Sequence, residues 1–360
     1  MALSAQLSRR PFRRCRWSVL LRSLTALAAV VFSIAPQLAA VVLVAPAPKR
    51  TEPRSGQFTF KPAATEQQLP EHFRLAERSF RFEQTFQETS LAALELSEVT
   101  FPSPVVTQVE RNNTVHCEYF RPVTPGRHPG VVVLHILGGD FNLSRLFCRT
   151  LADRGVCALF IKMPYYGPRR DPASPARMVS LDPRETVKGM TQAVLDIRCG
   201  AAWLAAQEEV DSEQLGIMGV SLGGITSALA ATAEPRFRKV CLILAGGDIG
   251  QVAWESRELR KLRDKWIADG GDRDSLMQYY KQVDPVTYAH LARGRQILML
   301  NARQDEVIPV ACTESLWRAL GEPPIVWWDA GHFTAALHIL EGLSKVGDFF
   351  ASSSSPTDQR

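Results

Sequence analysis

LGIMGVSLGGITSALA, residues 215–230, changes character at its midpoint. Leu215, Ile217, Met218 and Val220 make a short apolar run suited to a buried strand, whereas Ile225, Ala228, Leu229 and Ala231 recur at the spacing of one helix face. Ser221 stands at the change, between Gly219 and Gly223 in the pattern G-x-S-x-G. A tight strand-to-helix turn of this kind projects the serine hydroxyl, and glycines leave room where strand and helix approach each other. A Gly-rich turn can also simply pack, or hold an anion at the helix N-terminus. The partners of Ser221 decide between these readings.

Working outward, continuous apolar runs at 131–134, 156–161, 240–244, 297–300 and 325–328 match the one before Ser221. Helical patterns lie between them at 142–154, 183–206, 222–233 and 311–320. Strands with no polar alternation are covered on both faces, so the regular strand and helix rhythm predicts a mostly parallel central sheet with helices on both sides. Two alternating segments, 97–101 and 114–120, open the sheet as antiparallel strands, with Asn112-Asn113 as a turn. Ligands of such sheets collect beyond the carboxyl ends of the strands.

A serine nucleophile needs a base, a carboxylate that orients the base, and donors for an oxyanion. Asp305 follows the run 297–300 directly, with Glu306 beside it and Asp329 as a more distant acid. His332 follows the run 325–328 after a short loop containing Gly331, and no other histidine has such a position. The first oxyanion donor is expected at the amide of Leu222 and the second in the loop His135-Ile136-Leu137-Gly138-Gly139, at Leu137 with Ile136 as the alternative. His135 precedes the nucleophile and reads as a structural residue of that loop.

These motifs, in the order Ser221, Asp305, His332, resemble the α/β-hydrolase family over residues from about 114 to 350, nearest the dienelactone-hydrolase and acetyl-esterase branch. His135-Ile136 stands where members of the family usually have His-Gly. A dienelactone hydrolase would use cysteine as nucleophile, so Ser221 points to ordinary ester cleavage. Pro164-Tyr165-Tyr166-Gly167-Pro168-Arg169 is locally similar to the α/β-hydrolase domain-containing 18 type, for which the resemblance implies lipid esters. Tyr165 and Tyr166 either line a substrate pocket or simply pack with their hydroxyls toward water.

Residues 248–290 interrupt the rhythm with Val252, Leu259, Leu262 and Trp266 near helical spacing, then Gly270-Gly271, then Asp284-Pro285 as the start of another helix. This insertion would either cap the site, with Trp254 and Trp266 lining the pocket, or decorate the domain externally. The final helix is expected to bury Leu337, Leu340 and Leu343.

The formal net charge of +5 is concentrated at the start: residues 1–45 carry six arginines and no acid, and the remainder falls to −1. A nucleic-acid partner therefore has no electrostatic basis. Residues 24–45 are uncharged after that basic head, so 1–45 read as an export signal or an N-terminal membrane anchor, placing the domain on the periplasmic or extracellular side. Mass spectrometry of the mature N-terminus distinguishes the two. Residues 46–70 read as a flexible tether, 71–350 as the hydrolase domain and 351–360 as a disordered tail. Cys117, Cys148, Cys157, Cys199, Cys241 and Cys312 have no metal-finger or C-x-x-C spacing and read as buried thiols.

The combined expectation is a serine hydrolase that cleaves carboxylic esters of short to medium acyl length through an acyl-enzyme. A small-molecule ester is the partner, and no metal or organic cofactor is implied. Peptidase and lipid acyl hydrolase activities of the same fold remain as alternatives, as does a non-catalytic scaffold, which a fluorophosphonate probe would leave unlabelled.

Overall fold

In the computed structural model, which describes residues 50, 52–87 and 94–352, apolar strands without alternation are covered on both sides. The strands are β1 (Arg54–Phe60), β2 (Arg78–Gln87), β3 (Leu94–Pro102), β4 (Thr114–Pro122), β5 (His128–Leu134), β6 (Cys157–Lys162), β7 (Val210–Val220), β8 (Phe237–Ile243), β9 (Gln296–Ala302) and β10 (Ile325–Trp328). The main helices are α1 (Asn142–Asp153), α2 (Pro183–Ala205), α3 (Leu222–Ala233), α4 (Ile249–Glu255), α5 (Arg260–Ala268), α6 (Arg273–Tyr280), α7 (Pro285–Tyr288), α8 (Val310–Ala319) and α9 (Ile339–Ala351). On β5, Val132 and Leu134 join the core beneath α2 and α3, while Val131 and Val133 join the core beneath α1 and α9. Burial on two faces is why the run is continuously apolar.

One sheet runs in the order β1-β2-β3-β4-β6-β5-β7-β8-β9-β10. The six strands from β6 to β10 are mutually parallel, and β1 to β4 form an antiparallel wing joined through β4 to β6. α2 begins sharply because the Asp182 carboxylate accepts the Arg184 N–H at 2.9 Å and Pro183 occupies the first turn.

The wing corrects the tether reading of 46–70. β1 lies in that segment, and Phe58 and Phe60 are buried in the main core, Phe58 stacked on Phe80 with centroids 5.2 Å apart. Phe80 and Phe82 alternate inward along β2, and Phe73 is buried from the 3₁₀ turn Glu71–Phe73. A buried guanidinium fastens the wing to α2. Arg198 grips Glu66 through Nη1 at 2.9 Å and Nη2 at 2.6 Å, also donates to the Phe73 carbonyl, and lies 3.5 Å from Glu234. The export or anchor segment 1–45 lies outside the described residues, as do 353–360 of the expected tail. Among the described residues no helix is long and apolar enough to cross a membrane.

The insertion forms α4 to α7 and packs on the main core through Ile249, Val252, Leu262, Leu276 and Tyr280. Its anchor is Asp284, whose carboxylate accepts the N–H groups of Asp248 (3.1 Å), Ile249 (2.7 Å) and Val286 (3.0 Å). Burial outweighs these bonds and pushes the carboxyl from 3.8 up to about 6. A raised folded-state value favours the protonated fold, so this contribution is complete below about pH 3.8 and is lost as pH rises through about 6. The loss is on the order of 3 kcal/mol. Urea midpoints of the parent protein should fall between pH 4 and 6.5 relative to those of Asp284→Asn; parallel curves would refute it.

The six cysteines of the described domain are free and buried in β4, β6, β8, α1, α2 and α8. Burial pushes the Cys157 and Cys312 thiols up to about 12, leaving neutral packing groups.

Candidate active site

Ser221 occupies the turn between β7 and α3 with φ 55° and ψ −118°, a conformation that a non-glycine residue holds only when its surroundings enforce it. The enforcement is visible. The Ser221 N–H donates to the Ile243 carbonyl at 2.8 Å, and the Ile225 N–H donates to the Ser221 carbonyl at 2.9 Å. A Cβ on Gly219 would overlap the backbone of Gly223, and one on Gly223 would stand 2.7 Å from the Leu134 and His135 carbonyl oxygens. The two glycines of the motif are thus required by the close approach of β7, α3 and β5.

Asp305 follows β9 and His332 follows β10, so both reach the carboxyl-end side on which Ser221 projects. His332 Nδ1 lies 2.8 Å from Asp305 Oδ2 and 3.0 Å from Oδ1, and His332 Nε2 lies 3.0 Å from Ser221 Oγ. A carboxylate only accepts, so Nδ1 carries the hydrogen and Nε2 accepts the serine O–H. Asp305 is itself fixed by the N–H groups of Val307 at 2.9 Å and Ile308 at 2.7 Å. The side chains of Asp305 and His332 are 2% and 9% exposed, which keeps competing water away from their bond. Glu306 and Asp329, the other acids after these strands, bond elsewhere: Glu306 to the His332 backbone and Asp329 to the Gln304 amide.

Leu222 is the first residue of α3, where N–H groups have no intrahelical acceptor. Ile136, Leu137 and Gly138 line the same cavity as Ser221. His135 holds this loop. Its Nε2 accepts the Met163 N–H at 3.1 Å, so Nδ1 is the donor to the Ile136 carbonyl at 2.8 Å. Burial pushes the ring down to about 4, keeping it neutral. In a trans peptide the carbonyl and the next N–H point apart, so tying down Ile136 O turns the Leu137 N–H away from His135.

The structure superposes on acetyl xylan esterases. The enzyme from Paenibacillus sp. R4 gives a TM-score of 0.62 at 19% identity, over 79% of this chain and 91% of that one. Acetyl xylan esterase 1 from Thermoanaerobacterium sp. JW/SL YS485 gives 0.58 at 19% identity, over 73% and 87%. The chain has the α/β-hydrolase fold.

Two family models match parts of the chain: the prolyl oligopeptidase family over residues 188–344 and alpha/beta hydrolase domain containing 18 over residues 79–253. Curated relatives from Mycobacterium tuberculosis strain H37Rv are described as uncharacterized. One is 23% identical over 210 residues, covering 57% of this chain and 62% of its own length. Another is 26% identical over 186 residues, covering 47% and 40%. The chain spans less than two thirds of the length of these relatives.

A cavity of about 520 Å³ opens beside Ser221 and His332. Leu143 and Phe147 of α1, Trp328 of β10, Ala336, and Ile339 and Gly342 of α9 form much of its wall. Apart from the Trp328 indole, its polar side chains are Ser221, His332 and Glu258. Tyr165, Tyr166, Trp254 and Trp266, the four expected pocket residues, are not among those that line this cavity. Tyr166 packs edge-on against His135 at 4.5 Å, and Tyr165 donates its N–H to Asn112. The rest of their loop is held from below by Arg169, which is fully buried and paired with Asp196 at 2.8 Å. Trp254 and Trp266 pack against the main core, Trp266 Nε1 donating to the Asp272 carbonyl at 2.9 Å. Glu258 is the insertion's contribution to the cavity.

Helix α9 also departs from its expected burial. Residues Thr334–His338 form a 3₁₀ turn before α9, and Leu343 is buried whereas Leu337 and Leu340 are 86% and 78% exposed. Leu337 falls in the 3₁₀ turn, whereas Leu340 and Leu343 lie on one α-helix whose buried face is Gly342, Leu343, Val346, Gly347 and Phe350, so Leu340 stands off that face. The small residues Ala335, Ala336 and Gly342 were the available sequence signal for a hollow there.

Proposed function

We propose that this α/β-hydrolase is a serine esterase acting on carboxylic esters with an apolar acyl group of medium length. The chain Ser221–His332–Asp305 supports the mechanism. Ser221 Oγ attacks the ester carbonyl while its proton passes to His332 Nε2, and the N–H groups of Leu222 and Leu137 receive the oxyanion. The alcohol leaves with the proton from His332. Water then attacks the acyl-enzyme, giving its proton to His332, and Ser221 regains a proton as the acid departs. Asp305 holds the imidazole in the required tautomer throughout.

One observation carries the substrate reading: the cavity at Ser221 is large for an acetyl group and almost free of polar side chains. Phe333 at its mouth is 63% exposed and continues the apolar surface outward. Each buried methylene contributes about 0.8 kcal/mol, roughly fourfold in kcat/KM. Across a series of p-nitrophenyl esters, kcat/KM should rise from acetate to a maximum at a medium chain. Gly342→Leu, which fills the cavity, should move that maximum to shorter chains, and Trp266→Ala should leave it in place. A maximum at acetate, unmoved by Gly342→Leu, would refute the medium-chain reading.

A peptide amide is the second reading, favoured by the match to the prolyl oligopeptidase family model. Comparing an aryl ester with the corresponding p-nitroanilide separates the two. The uncharged segment 24–45 behind its basic head supports export or membrane anchoring.

A further inference from the structure

We propose that Glu306 is a positioning residue for His332, and that residue 331 is glycine to leave room for the Glu306 carboxylate. The proposal rests on Ser221 and His332 being the reacting pair. Glu306 Oε2 accepts the backbone N–H of His332 at 2.8 Å. A Cβ on Gly331 would stand 2.5 Å from that same oxygen and 3.2 Å from the Gln304 carbonyl. The neighbouring Phe333 N–H also interacts with the carboxylate, and these donors, the His332 N–H foremost, hold Glu306 below the usual carboxylate range although it is exposed. One acidic pair, Asp305-Glu306, therefore grips the histidine twice: Asp305 holds the ring and Glu306 holds the main chain behind it.

The second grip has a mechanical reason. His332 lies on an irregular segment between β10 and the 3₁₀ turn Thr334–His338, where no sheet ladder fixes the backbone. Beyond the paired strands, the acid loop and the histidine loop remain tied by Arg303 N–H to the Trp328 carbonyl (2.9 Å) and Gln304 N–H to the Ala330 carbonyl (3.0 Å). The Glu306 bond is the next tie and the one that reaches His332 itself. Without it, the Asp305 bond still orients the ring, but ring and backbone can shift together relative to Ser221. A misplacement of about 1 Å costs on the order of 100-fold in rate.

The test compares kcat, KM, fluorophosphonate labelling rate and Tm for the parent, Ser221→Ala, Glu306→Ala, Glu306→Gln, Gly331→Ala and the Gly331→Ala/Glu306→Ala pair. Glu306→Ala should lower kcat and labelling rate roughly 10- to 100-fold with KM within about twofold. Its Tm should stay within about 2 °C, because the side chain is at the surface. Glu306→Gln, whose side-chain oxygen accepts the same N–H, should recover to within about threefold of the parent. Gly331→Ala should match Glu306→Ala, and the double variant should be no slower than Glu306→Ala, since removing the carboxylate removes the clash. Parental kcat in Glu306→Ala, with Ser221→Ala inactive, would overturn the proposal and leave the esterase reading standing. A Glu306→Gln variant as slow as Glu306→Ala would also overturn it. Activity surviving Ser221→Ala would overturn both.

Discussion

Ser221→Ala and His332→Ala should each lower turnover of a p-nitrophenyl ester by roughly 10⁴- to 10⁶-fold, and Asp305→Asn by about 10³- to 10⁴-fold. The serine and histidine variants lose the nucleophile and its base outright. Asp305→Asn keeps the shape but replaces the acceptor that holds the hydrogen on His332 Nδ1, so the ring is free to adopt the wrong tautomer. The losses should not add, because the three groups act as one unit bonded at 3.0 Å and 2.8 Å. Residual turnover would come from the oxyanion donors and substrate binding. Single-turnover kinetics with the three variants and one double variant is the measurement. Additive losses, or parental activity in Ser221→Ala, would contradict the mechanism.

The largest expected effect on stability lies away from the site, at Arg198→Met. Arg198 is fully buried, bonded twice to Glu66 and close to Glu234, with its guanidinium 5.0 Å from the centre of the Phe60 ring. Burial acts to raise the Glu66 carboxyl, yet its bonds from Arg198 and the Leu75 N–H hold it below its ordinary range. Removing the cation leaves that charge in a poor dielectric, at a cost of about 3–5 kcal/mol. Glu234 suffers less because Arg236 still bonds it at 2.7 Å and 3.1 Å. Adding Glu66→Gln to Arg198→Met should restore part of the loss, since it removes the stranded charge. Urea unfolding of the single and double variants reads both effects. A single-variant loss below about 1 kcal/mol would show that water or local rearrangement replaces Arg198 at little cost.

Residues 215–230 were legible because local chemistry dictates them: apolar period, helical period and two glycines at a turn that admits no side chain between β7 and α3. The alternation of strands and helices was legible for the same reason, and with it the positions of Asp305 and His332 past the ends of β9 and β10. Periodicity reports that a face is covered, but it does not name the cover. Trp254 and Trp266 were rightly apolar and partly buried, yet the surface that covers them is the main core and not the cavity. Leu337 and Leu340 had helical spacing, yet Leu337 falls in a 3₁₀ turn and Leu340 off the buried face of α9, so both meet solvent. β1 was hidden in a polar-looking stretch because two phenylalanines suffice for an edge strand once Phe80, Phe82 and Phe101 of the adjacent strands pack beside them. Glu66 meets Arg198 across 132 residues, and Glu306 meets the His332 backbone across 26. Such contacts depend on how separate segments are carried together, which only the tertiary structure decides, because a side chain's partner is set by the packing of whole strands and helices and not by its own neighbours along the chain.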